Sequence, residues 1–462
     1  MSAKKPWAKP VIAPHRTGLS NKFGAAHRQQ WAADIEGVPV ADLLAKHGSP
    51  LFVISERRLR DNARRLYRAF STRYPRVRFA WSYKTNYLGA VCAVFHQEGA
   101  WAEVVSEFEY QKARALGVPG ERIVFNGPCK SRAALEVAVA EGALVQIDHL
   151  DELYALEGVA RAAGRQVPVA LRLNFDTGYT EAWSRFGFNL ESGQAVEAVR
   201  RITASPHLRL IGLHSHMGTF ILDTRAYVAQ INILCGFMEK IEQETGCLIE
   251  FLDIGGGFAS QNALQGIHLP PEQAAPAPEQ YAEAICSALL AATQGRVRAG
   301  KPLPVLVLET GRAAVDSAEM LVSSVVANKR LPDGRCGVVL DAGVNLLFTA
   351  FWYHHAVMPT RPLDGLAEDT VLYGPLCMNI DVLRHSVMLP PLDVGDSLVF
   401  SHVGAYNNTQ WMQFITLRPA VVMIGESGAV DVVREAETLQ TVVSPERLPQ
   451  RLTALFPGGL PD

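Results

Sequence analysis

The stretch Trp81-Ser-Tyr-Lys-Thr-Asn-Tyr87 closes an apolar run with a lysine, and the reading of that run decides the fold. Residues 78–84 mix aromatic and apolar side chains with no helical period, which predicts a buried strand. A lysine at its end is either a surface cation with its stem along apolar surface, or a nucleophile at the mouth of a pocket. For a lysine taken alone the first reading is the commoner. The surrounding pattern has to decide.

Outward from this stretch the same unit recurs, a short β-rich run followed by a longer segment of alanine, leucine and charge at helical spacing. Strands are predicted over 78–84, 102–106, 122–127, 144–149, 169–175, 210–216, 249–256 and 305–311. Helices are predicted between them, over 107–116, 132–140, 151–163, 192–202, 224–245 and 278–292. This alternation predicts an α/β fold, a (β/α)8 barrel whose active site lies at the C-terminal ends of the strands. Beyond about residue 317 the helical periods fade into short β runs (320–328, 337–341, 369–373, 397–402, 420–424). They predict a second, all-β domain of sandwich or barrel-like form. The expected organisation is a barrel over 51–316, a β domain over 317–462, and an N-terminal segment, 1–50, able to add a strand to the β domain.

The chain's 462 residues suffice for two cores, and its 48% hydrophobic and 19% charged residues describe an ordinary globular protein. A net charge of -2 spread over both signs argues against nucleic acid and acidic membrane surfaces as partners. The seven cysteines, Cys92, Cys129, Cys235, Cys247, Cys286, Cys336 and Cys377, form no C-x-x-C pair and lie at no zinc spacing. Reduced thiols and a cytoplasmic location are expected. The basic start "MSAKKPWAKP" lacks the apolar run of a secretory signal, and no stretch reaches the roughly 20 apolar residues of a membrane helix.

Strand ends converge in a barrel, and unusual polar residues gather at four of them: Lys84, His214-Ser-His216-Met-Gly-Thr219, Asp253-Ile-Gly-Gly-Gly257 and Glu309-Thr-Gly-Arg312. Gly255, Gly256 and Gly257 let backbone N–H groups approach a phosphate. The alternative is a plain tight turn. Lys84 can condense with an aldehyde, His216 can stack on an aromatic ring, and Arg312 offers a guanidinium fork to phosphate or carboxylate. Glu309, buried at a strand end, needs a cation or a proton, and a pyridinium nitrogen supplies one. Together these groups suit a phosphorylated cofactor carrying an aldehyde.

At these positions the chain resembles the fold-type III decarboxylases that depend on pyridoxal 5'-phosphate (PLP), the diaminopimelate, ornithine and arginine decarboxylases, whose barrel is alanine racemase-like. The resemblance runs from about residue 50 to about residue 420. It implies that Lys84, in Tyr83-Lys84-Thr85-Asn86, carries PLP, that His216 stacks on it with Gly218 and Thr219 alongside, and that Gly255 to Gly257 hold its phosphate. It also implies that Glu309 binds the pyridine nitrogen, with Arg312 three residues on. Gly374-Pro-Leu-Cys377 resembles a motif whose cysteine, the proton donor to Cα, reaches the neighbouring subunit of a head-to-tail homodimer. Gly404-Ala-Tyr406 resembles a motif whose tyrosine contacts the phosphate. The implied reaction is α-decarboxylation of an amino acid, with no metal.

Departures from the family pattern cluster where it reads the far end of the substrate. Diaminopimelate decarboxylases usually have C-E-S-x-D; here Cys377-Met-Asn-Ile-Asp381 puts Met378 at the acidic position, with Asn379 beside it. The arginine of their N-D-L-x-R-P stretch is replaced by Thr349. An unpaired buried charge costs roughly 3–5 kcal/mol, so a free zwitterionic far end is disfavoured unless Arg185 or His354 replaces the anchors. With Phe351, Trp352 and Tyr353 nearby, the expectation is a conjugated or capped amino acid, such as a citryl-diamino acid of siderophore metabolism; the alternative is meso-diaminopimelate itself. A non-catalytic PLP-binding regulator would have lost Lys84 or Cys377, and a racemase would not require G-P-x-C. Metal hydrolysis through His214, His216 and Glu309 gives no role to Lys84.

Overall fold

Runs such as Val-Leu-Val-Leu at 305–308 have no polar face, so they fold only where both faces are covered, as in a parallel barrel jacketed by helices. The computed structural model, which describes residues 30–267 and 269–452, contains that barrel. Its strands are Val77–Ser82, Trp101–Val104, Ile123–Phe125, Leu144–Ile147, Val167–Asn174, Leu208–His214, Phe251–Asp253 and Val305–Thr310. Each pairs in parallel with the next, and the last returns to the first, with Leu306 opposite Val77 and Thr310 opposite Trp81. Ala80, Val124, Ala170, Ile211, Phe251 and Val307 pack the interior. Opposite the Phe251 ring the chain has Gly212, where any side chain would clash with it.

The helices end where local chemistry ends them. Ser106 and Ser131 hydroxyls accept the N–H groups of Glu109 and Ala134 at the starts of Glu107–Ala115 and Arg132–Glu141. Thr224–Thr245 starts at an Asp223 cap and stops at Gly246, whose φ of 73° only glycine adopts without strain. Pro278 opens Pro278–Ala292. Among the described residues, no helix is long and apolar enough to cross a membrane.

The second domain is mostly β. Its strands run Val382–Leu389, Glu368–Tyr373, Cys336–Leu340, Glu319–Arg330, Leu51–Ser55, Val421–Ile424 and Val430–Arg434 across the sheet. Ser397–Phe400 pairs with Glu319–Arg330 and with Val357–Pro359. Leu51–Ser55 therefore departs from the expected barrel start at residue 51. It lies between Glu319–Arg330 and Val421–Ile424, and the barrel's own packing begins with the helix Glu56–Ser71. The cause is burial on both faces: all five residues are buried, and Val53 packs with Val322, Val399 and Val422. Residues 34–47 form a two-stranded turn and the helix Val40–His47, whose Ile35, Val40 and Leu43 cover the same core. The rest of the N-terminal segment, 1–29, lies outside the described residues.

Phe52 is fully buried in this inserted strand, its ring edge-on to Trp411 at 6.0 Å. Phe52→Ala is expected to cost about 3–5 kcal/mol of stability, read as a lower urea midpoint in tryptophan fluorescence.

Candidate active site

The first barrel strand ends at Ser82, two residues sooner than expected, and Lys84 sits in the 3-10 turn Tyr83–Thr85. Aromatic packing forces the turn. Trp81 stacks on Phe95 with ring centroids 3.9 Å apart, and the buried Tyr83 hydroxyl meets His96 Nε2 at 2.8 Å. Beyond it Asn86, fully buried, donates to Glu319 Oε2 and to the Gly404 carbonyl, both at 3.1 Å. The Thr409 hydroxyl donates to the Lys84 carbonyl (2.9 Å) and the Tyr406 N–H to the Thr85 carbonyl (2.7 Å). The lysine's backbone is thus gripped by both domains.

Above this turn lies a cavity of about 580 Å³. Lys84, His216, Thr219, Gly256, Gly257, Glu309, Arg312 and Tyr406 line it, together with Trp352 and Tyr353. Gly255 lies just behind, where a Cβ would come within 2.6 Å of His216 Nδ1. The Gly256 N–H donates to that Nδ1 at 3.0 Å, so the imidazole proton sits on Nε2. Burial, then the Lys84 charge, pull the His216 pKa down to about 3, leaving a neutral ring. Burial opposes charge on Glu309, but His214, 3.5 Å away, and Lys84 outweigh it and hold the carboxyl below the usual range.

Arg312 is buried, and its Nε and Nη1 have no hydrogen-bond partner; the guanidinium lies 4.9 Å from the ring centres of both Tyr353 and Tyr406. A buried fork with free donors is a binding site for an acid. Tyr406 is held at φ 70°, a strained conformation for a non-glycine residue. The donor set therefore fits PLP: orphaned guanidinium donors, glycines that no side chain can replace, and a buried carboxylate for a ring nitrogen. Bound there, PLP supplies a ring that takes up the electron pair left when the Cα–carboxylate bond breaks.

His214, Asp253 and Glu309 bring ligand atoms within 4.8 Å of one another, the spacing of a metal site. Both Asp253 oxygens are already used, by Gln146 Nε2 at 2.6 Å and the Gly255 N–H at 2.9 Å, and burial pushes that carboxyl well up. His216, a member of the set weighed from the sequence, is not in this trio.

Several expected substrate contacts are not on the cavity wall. Cys377 and Asn379 are exposed and Met378 is half-buried, on a turn outside the lining. Thr349 is buried instead, its hydroxyl taken up by His355 Nε2 (2.8 Å) and Asn407 Oδ1 (3.0 Å). Phe351, Arg185 and His354 also lie outside it. Conversely, the sequence reading missed Asn126, Arg172, Trp183 and Glu103. Asn126 donates to Glu309 Oε1 at 3.3 Å and accepts from Arg172 at 3.2 Å, and Trp183 meets the His216 ring edge-on at 5.3 Å. Glu103 and Arg172 carry the signal that flagged Lys84, a charge inside an apolar run.

A parallel barrel with lysine, imidazole, glycines and carboxylate at its strand ends, joined to a β domain, has the makings of a PLP-dependent enzyme. Residues 60–316 match the pyridoxal-dependent decarboxylases in their pyridoxal-binding domain. A diaminopimelate decarboxylase of Methanothermobacter thermautotrophicus is 31% identical over 90% of this chain and 96% of its own. One of Bacillus subtilis is 28% identical over 93% and 97%. The crystal structure of the M. jannaschii diaminopimelate decarboxylase superposes with a TM-score of 0.82 at 26% identity, covering 91% of this chain and 96% of that one, and the same enzyme has been solved with L-lysine. The chain belongs to the pyridoxal-dependent decarboxylases: it is a lyase that uses PLP to decarboxylate an amino acid.

Because its unpaired donors are already desolvated, Arg312→Met is expected to leave the PLP-free protein as stable or more stable, by up to ~1–3 kcal/mol, while weakening substrate or cofactor binding. Thermal melts of the PLP-free protein and KM measurements check the two signs. At Gly256, alanine would force its Cβ into the Glu309 carbonyl. Gly256→Ala is expected to weaken PLP binding about tenfold or more, read by equilibrium dialysis.

Proposed function

We propose that this chain decarboxylates meso-diaminopimelate, with PLP on Lys84, His216 against its ring, Gly255 to Gly257 and Tyr406 at its phosphate, and Glu309 at its ring nitrogen. The observation that carries the substrate is the likeness to curated diaminopimelate decarboxylases along nearly the whole chain. Loss of one carboxylate from diaminopimelate leaves lysine, and L-lysine is the ligand of the M. jannaschii structure. Arg312, with two unpaired donors on the cavity wall, supports binding of an acid group. This reading replaces the capped substrate expected from the sequence. The capped reading keeps one specific support: Met378 stands where an acidic residue would meet a distal ammonium.

Cys377 is the proposed proton donor to Cα, supplied by a second copy of the chain. Its exposure outside its own chain's cavity supports a homodimer with shared sites. All seven cysteines are free, which supports a reducing, cytoplasmic setting.

CO2 release from meso-diaminopimelate, ornithine, lysine, arginine and a citryl-diamino acid, each offered to the PLP-loaded protein, tests the substrate. Diaminopimelate is expected to be turned over at least ~10-fold faster than the others, and turnover of the conjugate alone would sink the proposal. Cys377→Ala is expected to lower turnover by ~10²–10⁴. Mixing equal amounts of inactive Lys84→Ala and Cys377→Ala is expected to restore roughly a quarter of the wild-type rate, since half the dimers then own one complete site.

A further inference from the structure

At the edge of the cavity lies an ion pair to which neither the fold nor the proposed reaction gives a role: Lys84 Nζ, on the cavity wall, donates to Oε2 of the fully buried Glu103 at 2.8 Å. We propose that Glu103 is the docking carboxylate of the free Lys84, a positioning residue that keeps the detached lysine charged, and so non-nucleophilic, against the second barrel strand. This rests on Lys84 being the cofactor lysine.

The two partners are built differently. Glu103 is fully buried in Trp101–Val104, and its carboxylate is fixed by neutral donors that stay when the lysine moves, the Ser82 hydroxyl at 2.5 Å and Asn126 Nδ2 at 3.5 Å. The Lys84 side chain is 35% exposed to the cavity on four rotatable bonds. A fixed acceptor facing a movable cation is the geometry of a dock. A pair with a purely structural task has no need of a free side for one member.

The electrostatics agree with this arrangement. Burial works against charge on Lys84, but the carboxylates of Glu103 first and Glu309 second outweigh it and hold the ammonium above its ordinary value. Burial pushes Glu103 up, and Lys84 is the chief group pulling it down. When the lysine leaves, Glu103 therefore takes a proton in its place. The other groups facing the pair, Glu309, His216 and Tyr406 in the cavity and Glu109 on the helix behind Glu103, are common to both positions. Arg172 reaches the pair only through Asn126.

The experiment follows Lys84 itself. PLP-free protein is exposed briefly to PLP over a pH series and quenched with borohydride, and the labelled peptides are quantified by mass spectrometry. Wild-type Lys84 is expected to gain reactivity only at high pH. In Glu103→Gln, which keeps a hydrogen-bond acceptor without the charge, its midpoint is expected at least one unit lower, so that trapping at pH 8 is at least about tenfold faster. Glu103→Asp, which keeps the charge, is expected to retain the high midpoint, and exposed Lys46 serves as the folding control. An unchanged Lys84 midpoint in Glu103→Gln overturns the dock. Labelling that spares Lys84 at every pH while exposed Lys46 is modified overturns the assignment of Lys84 itself, a separate failure that the peptide map identifies.

Discussion

The hydrogen bonds of Asn86 are the joint on which the site depends. A cavity between two domains keeps its dimensions only if both domains are referenced to one point, and Asn86 is that point: its Nδ2 reaches Glu319 and the Gly404 carbonyl, while its Oδ1 accepts the Leu88 N–H at 3.2 Å. Glu319 also accepts from Asn408, so one buried carboxyl ties Asn86 to the residues just past Tyr406. Burial pushes that carboxyl well above the carboxylate range, and the two amides are what satisfy it without a cation. Because the joint lies two residues from Lys84, a small slip between the domains would displace the Lys84 amine in the cavity directly.

The charges above this joint are set out for a ligand rather than for the folded chain. Lys84 and Arg172 have protein partners in Glu103 and Asn126, whereas Arg312 keeps two donors unpaired in a buried wall. Leaving such donors unpaired costs the free protein stability, and a phosphate or carboxylate that meets them recovers it. The Tyr406 strain and the substitution-intolerant glycines at 255–257 point the same way. Cofactor binding and folding stability are therefore coupled in this cavity.

Much of this was legible in the sequence, for identifiable reasons. The barrel strands announced themselves as apolar runs, and Thr224–Thr245 and Pro278–Ala292 lie where the helical spacing predicts them. Leu51–Ser55 was not legible as a strand of the β domain because its partners lie in Glu319–Arg330 and Val421–Ile424, far along the chain, and local pattern carries no pairing information. Val382–Leu389 and Val430–Arg434 escaped because they are edge strands with partly exposed, charged faces, which blurs the period of two. Of the cavity residues, those in strand-end motifs were found. Asn126 and Arg172 on the cavity wall, and Glu103 behind Lys84, are set within apolar runs and stood out only when the barrel brought them beside Lys84 and Glu309.

Substrate choice is the least legible property, and the turn after Gly374 explains why. Asp381, nearly fully buried, accepts the N–H groups of Leu376 at 2.7 Å and Val344 at 2.8 Å, and the Gly374 N–H donates to its carbonyl. A side chain at Gly374 would collide with that carboxylate. The turn is therefore rigidly built, yet its tip, exposed at Cys377 and Asn379 with Met378 half-buried against the core, lines no part of its own chain's cavity. Rigidity without an internal target is what a residue needs if it is to be presented to another copy of the chain, because a mobile tip would lose its ordering entropy on each engagement. In the proposed shared-site dimer, Met378 and Asn379 would meet the far end of the substrate across a subunit boundary. A substitution there would then change specificity while leaving every hydrogen bond of the barrel's own site in place.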